Sequence, residues 1–256
     1  MTPSELRQLI RNGEWTGPTE LAVCEEYAQA NLAIIPKEYA LDFLRFCHLN
    51  PQPCPLLEVT EPGDPRPRHV AADADLRTDL PKYRVYEDGR LIDEPSNIVD
   101  YWREDLVGFL LGCSGNFDWS LRAANLHYRI AGVFTTNVEC ASAGPFQGPV
   151  VVTCRLFKGG RDAIRAIQIS SRFPSAHGAP IHVGDPSIIG IKDISRSDIG
   201  TLKLDSPPQQ DEVAMFWACG LTVQTVAVQA RLPIMITHYS RHMFVTDRLT
   251  VELSVI

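Results

Sequence analysis

Between Pro55 and Pro81 proline and charged side chains dominate, and the run Glu61-Pro-Gly-Asp-Pro-Arg-Pro-Arg68 can continue neither a helix nor a strand ladder. Such a stretch is expected to be a long surface loop or a crossing between lobes, and it separates two differently patterned parts of the chain. The part before it is helical in pattern. Thr2-Pro3-Ser4-Glu5 supplies an N-cap threonine, a proline at the first helical position and a glutamate three residues after the cap, with Gly13 to end the helix. Two more helices are expected over residues 18–30 and 36–49, the second carrying Leu41, Leu44, Cys47 and His48 at helical spacing and closed by Pro51, Pro53 and Pro55.

After the proline-rich stretch, residues 83–87 and 90–93 flank Asp88-Gly89, a two-residue signal for a tight β-hairpin. A helical or buried run over 98–111 and a short helix after Asp118 follow, then strands at 133–138 and 149–157. A helix over 160–171 and a strand–turn–helix over 213–230 complete the alternation. This pattern implies α/β or α+β layering, and 256 residues with 45% apolar content suffice for one large domain or two interlocked ones.

Seven scattered cysteines, mostly within apolar runs, fit reduced core thiols. Residues 1–6 carry neither a basic-then-apolar signal nor an Arg-rich presequence, and no apolar run approaches the roughly 20 residues that cross a bilayer, so a cytoplasmic location without membrane association is expected. A net charge of −7 argues against nucleic acid as partner, because that binding draws on a basic surface. A small anion held by a local cation is compatible with it, as is a homo-oligomer.

The segment from Ser171 to Asp185 holds Arg172, His177, His182 and Asp185 among prolines and glycines, a stiff irregular frame carrying acid, base and cation types. The alternative is a polar loop whose histidines bond carbonyls. His177, His182 and Asp185 could instead hold a divalent metal, although their spacing matches no closed zinc pattern. His238 and His242 have the i, i+4 offset of a helical metal clamp, but Tyr239 stands where a metalloprotease has glutamate and the preceding 232–237 reads as a strand. Gly112-Cys113-Ser114-Gly115-Asn116 is like the turn that presents a hydrolase serine, yet Asn116 replaces the glycine that turn needs. At Cys219-Gly220-Leu221-Thr222 a strand breaks into a helix that Thr222 would cap, which is either an anion site at a helix start or a plain connector.

Gln29-Ala-Asn-Leu-Ala-Ile-Ile-Pro-Lys37, Asn50-Pro-Gln-Pro-Cys-Pro-Leu-Leu-Glu58, Ser171-Arg-Phe-Pro-Ser-Ala-His-Gly-Ala-Pro180, His182-Val-Gly-Asp-Pro186, Phe216-Trp-Ala-Cys-Gly220 and Ile236-Thr-His-Tyr-Ser-Arg-His-Met-Phe-Val-Thr-Asp247, in this order, resemble the D-glutamate cyclase family, in its bacterial hydro-lyase branch. The resemblance covers nearly the whole chain, and Gly115-Asn116-Phe117-Asp118 departs from the family's Phe-Ser-Phe-Glu. It implies a two-part α/β and α+β architecture, with mixed sheets in two interlocked lobes of one catalytic unit. It also implies a lyase that interconverts D-glutamate and 5-oxo-D-proline, so that the partner is a small acidic amino acid or its lactam. From the chemistry of ring closure, Arg172 with Ser171 is expected to grip the α-carboxylate, and His177 or His182 to move the proton with Asp185 fixing the tautomer. Cys113, Ser114, Cys219 and Gly220 would receive the oxyanion, with His238 and His242 closing the pocket. No cofactor is expected; the alternatives are a dehydratase of another small acid, a metal-dependent hydrolase and a metabolite-binding protein without turnover.

Overall fold

The computed structural model describes residues 1–19, 23–200 and 202–255. Helix α1 (Pro3–Arg11) forms behind the expected capping box, with Thr2 and Glu5 bonding each other's backbone N–H. Residues 20–22 of the helix expected over 18–30 lie outside the described residues, and its end is strand: β1 (Tyr27–Pro36) is buried at nine of its ten positions. Helix α2 (Lys37–Leu49) turns Phe43, Phe46 and Cys47 into the core, while Leu41 and Leu44 of the expected apolar stripe face outward.

Strand β2 (Leu56–Val59) precedes the proline-rich stretch, and β3 (Tyr83–Glu87) with β4 (Arg90–Asp93) forms the hairpin over Asp88-Gly89. The helical or buried run resolves into a buried strand, β5 (Leu106–Gly112). Helix α3 (Gly115–Ala123), β6 (Tyr128–Glu139), β7 (Pro149–Lys158) and α4 (Gly159–Ser170) follow, then β8 (His182–Val183), β9 (Glu212–Ala218), α5 (Thr222–Ala230), β10 (Met235–His238) and β11 (Phe244–Leu249).

These strands form two sheets. The larger has the order β2-β5-β1-β10-β3-β4, with β11 also pairing β1, and the smaller has the order β6-β7-β9-β8. The expected layering of helices on sheets is observed, and every ladder is antiparallel, a narrower arrangement than the mixed directions expected. One apolar cluster joins the sheets: Ala33, Ile35, Phe109 and Leu111 meet Val152, Cys154 and Phe216, with Phe43 and Phe46 of α2 alongside. On the other face of the larger sheet lie Val70, Ala71, Leu76 and Leu80, so the proline-rich stretch is a packed cover and not a surface loop. Its backbone is irregular because of its prolines, yet its apolar residues are buried like those of a regular element. The outer face of the smaller sheet carries Phe157 and Trp217 against Phe117, Leu121, Ala163 and Ala166 of α3 and α4.

Candidate functional site

Strand β1 is the backbone of the site. Along one edge it pairs with β5, and along the other it changes partner, from β11 at Ala30↔Phe244 to β10 at Ala33↔Thr237. In the gap the Leu32 N–H donates to His238 Nδ1 at 3.2 Å, so this imidazole closes the ladder where neither strand reaches. Burial pushes its pKa down to about 4, which keeps Nδ1 a bare acceptor. His238 and His242 stand on a strand end and the turn after it, not on a helix; His242 Nδ1 lies 2.8 Å from the Ser240 carbonyl and its ring meets Tyr239 edge-on.

Asn31, next along β1, donates from Nδ2 to the Gly112 carbonyl at 2.7 Å. A Cβ at Gly220 would collide with the same Asn31 amide, so the turns that start α3 and α5 meet across this one side chain. Gly112 and Gly220 are thus brought to one side chain, with Cys113 and Ser114 following the first and Cys219 preceding the second. Asn116, in the first turn of α3, accepts from Gln29 N at 2.8 Å and donates to Gln29 O at 3.0 Å, which stitches the helix start to β1. The hydroxyl of Thr222 does not cap α5 as expected: it donates to Cys219 O and accepts from Val151 N, because Thr222 is already the first helical residue.

His177 lies against the first of these turns. It is wholly buried and left-handed at φ 74°, after a short turn at Pro174–Ala176. A Cβ at Gly112 would strike the carbonyl oxygen of Ser175, so only glycine lets this loop seat on the end of β5. His177 Nδ1 is 2.5 Å from the Gln52 carbonyl and must donate to it, while Nε2 has no hydrogen-bond partner among the described residues. Burial, with the Arg155 charge adding to it against the backbone of Gln52 and Gly112, lowers its pKa to about 4. The imidazole is therefore neutral at pH 7, with a bare lone pair at Nε2. Gly112→Ala is expected to cost about 1–3 kcal/mol, since the loop must move, and to depress any activity that uses His177; denaturant melts beside rate measurements check both.

The remaining expected residues stand apart. His182 is half-buried at the edge of the smaller sheet, its ring 5.7 Å from Phe216, and its Nε2 meets the backbone carbonyl of Asp185 at 2.7 Å. The Asp185 carboxylate instead accepts from Ser187 N, as the cap of the following turn, so it does not fix a histidine tautomer. Ser171 and Arg172 are exposed; Ser171 bonds the Gln168 carbonyl and Arg172 Nε donates to Val255 O, which directs the guanidinium to the C-terminal segment. The histidines of this loop do bond carbonyls, as its plainer reading held. No three metal-ligating side chains gather among the described residues.

Two residues that the sequence did not single out complete the site. Arg155 of β7 and Asp118 of α3, both buried, pair through Nε at 3.1 Å and Nη2 at 2.9 Å, and Nη2 also reaches Ser114 Oγ at 3.3 Å. The guanidinium lies near the rings of Phe117, Trp217 and Tyr128, 5.0, 5.3 and 5.7 Å from their centroids. Although burial opposes its charge, Asp118 and Tyr128 hold the Arg155 pKa above its ordinary value. A lone arginine in an otherwise apolar strand was the available signal, because a buried charge demands a partner.

With the geometry in place, relatives can be compared. The family model described as D-glutamate cyclase matches residues 107–247, which include Gly112–Ser114, Arg155, His177 and His238. A protein of Rubrobacter xylanophilus named "Putative hydro-lyase" is 52% identical, with 98% of each chain covered. Relatives of the same kind from Geobacillus kaustophilus and Stutzerimonas stutzeri are 48% and 47% identical, the matches covering all of this chain and 98% and 97% of theirs. The chain belongs to the D-glutamate cyclase family.

Proposed function

We propose that the protein interconverts D-glutamate and 5-oxo-D-proline, with loss or gain of water, where the α3 and α5 turns meet His177. Membership of a lyase family supports the reaction class. One observation carries the site: a fully buried neutral imidazole with Nδ1–H fixed on Gln52 and Nε2 bare. In the forward direction Nε2 takes a proton from the substrate ammonium, and the freed amine attacks the side-chain carboxyl carbon. The C–N bond forms and a C–O bond breaks; the departing oxygen takes the proton that the imidazole returns and a second proton that the attacking nitrogen sheds, and leaves as water while the nitrogen keeps one hydrogen as the lactam N–H. An imidazole with a pKa of about 4 holds that proton only while negative charge stands nearby, which suits a transient carrier. The main-chain amides of Ser114 and Gly220 are the proposed donors to the oxyanion.

This reading assigns the proton to His177 and not to His182, whose Nε2 is engaged at the edge of the smaller sheet. Ring opening of 5-oxo-D-proline in ¹⁸O-labelled water tests it. One labelled oxygen is expected in the side-chain carboxylate of the D-glutamate formed. Label absent from the product would exclude a direct hydration of the lactam.

His238 gives a separate expectation. Its depressed pKa means the unfolded chain binds the proton more readily, so the stability it contributes is full above about pH 6.5 and declines as pH falls toward 4. The loss approaches about 3 kcal/mol well below pH 4. His238→Gln keeps an acceptor for Leu32 N–H without titrating, and should flatten denaturation midpoints between pH 7 and pH 4.5; an unchanged slope contradicts this role.

A further inference from the structure

Three buried side-chain atoms lack a hydrogen-bond partner among the described residues: Arg7 Nε, Arg155 Nη1 and His177 Nε2. Arg7 belongs to a structural cluster, its other nitrogens held by Val245 O, Asp73 and Asp247. The remaining two share one neighbourhood. Arg155 Nη2 reaches Ser114, His177 rests on the loop seated against Gly112, and the Arg155 charge is felt at the His177 ring. Because Asp118 takes Nε and Nη2 side-on, Nη1 points away from that carboxylate with both N–H donors unused.

We infer that Arg155 Nη1 and His177 Nε2 together form the recognition subsite for an α-amino acid, Arg155 anchoring the α-carboxylate and His177 receiving the α-ammonium. An unused cationic donor and an unused neutral acceptor complement the two halves of a zwitterion. The start of α3 adds a positive end beside Ser114, on the side of the carboxylate. Both atoms are sealed from solvent, so the ligand enters when the 174–179 turn, tied to Gln52 at His177 and Ala179, lifts. The cation expected at Arg172 is thereby assigned to the interior of the smaller sheet. This inference rests on the proposed function for the identity of the amino acid, not for the existence of the subsite.

The test uses the full chain and a panel of α-amino acids, D-glutamate among them, each beside its α-carboxamide, with affinity read by calorimetry. Wild-type protein is expected to prefer an acid over its amide by about 10–100-fold, the value of a hydrogen bond to a charged group. The double substitution Arg155→Met with Asp118→Asn removes the charge pair together and is expected to abolish that preference. Should the double variant not fold, imidazole ¹⁵N spectra of wild-type protein decide: the Nε2 signal of His177 shifts with the acid and not with the amide. If no acid binds, if acid and amide bind alike in wild type, if the preference survives in the folded double variant, or if the His177 signal stays still, the subsite is overturned. A different amino acid bound with the full preference upholds the subsite and removes D-glutamate. Turnover of D-glutamate with the preference intact in the double variant does the reverse.

Discussion

His177→Asn is expected to lower turnover by about 10²–10⁴-fold, the usual contribution of a positioned acid–base group, while the protein stays folded. Asparagine suits this position because it tolerates the left-handed backbone that His177 adopts at φ 74°, and its amide can still donate to the Gln52 carbonyl. What it lacks is a lone pair that can carry a proton. A fall in kcat with an unchanged melting temperature would place the proton at Nε2. Equal losses of stability and activity would mean that His177 only holds the loop to Gln52. By contrast, His182→Asn should leave kcat within a few-fold of wild type, because that ring bonds Asp185 O at the edge of the smaller sheet.

The second large effect is thermodynamic. Asp118→Ala strands the Arg155 guanidinium among Phe117, Trp217 and Tyr128, with only the neutral hydroxyls of Ser114 and Tyr128 left beside it, and is expected to cost about 3–5 kcal/mol. Replacing both partners should cost far less than the sum of the single changes, since no uncompensated charge is left behind. Urea denaturation of the two single variants and the double gives the coupling directly. Additive losses would show that the pair contributes little beyond its packing.

Much of the architecture was legible where local chemistry and tertiary structure agree. Thr2-Pro3-Ser4-Glu5 satisfies its own helix start, and Asp88-Gly89 supplies the positive φ values that a tight hairpin needs, so both elements appear where expected. Strand β1 was misread because Ala28, Gln29 and Ala30 are better helix formers than strand formers, and pairing on both edges overrides that preference. Its polar positions, Gln29 and Asn31, carry the real signal: they alternate, and each bonds a carbonyl that the apolar ladder leaves over, Thr19 O and Gly112 O.

The candidate site was legible in part for a similar reason. His177 and the glycine turns stand out by residue type, and the fold brings Gly112 and Gly220 against Asn31. Spacing in the sequence could not reveal that Asp185 spends its carboxylate on Ser187 N, or that Arg172 is drawn to Val255. Nor could it show which charge lies inside. Arg155 and Asp118 are 37 positions apart and meet only because α3 packs on the outer face of the smaller sheet.

The proposed reaction closes and opens the lactam ring through His177. Incubation of the wild-type protein with D-glutamate, and separately with 5-oxo-D-proline, followed by chiral chromatography with and without added divalent metal, tests it most directly. Each compound is expected to yield the other, the L-enantiomers to persist, and His177→Asn to leave both substrates essentially unchanged. D-Glutamate and 5-oxo-D-proline both recovered intact from the wild-type protein under all conditions, or turned over equally by His177→Asn, would contradict it.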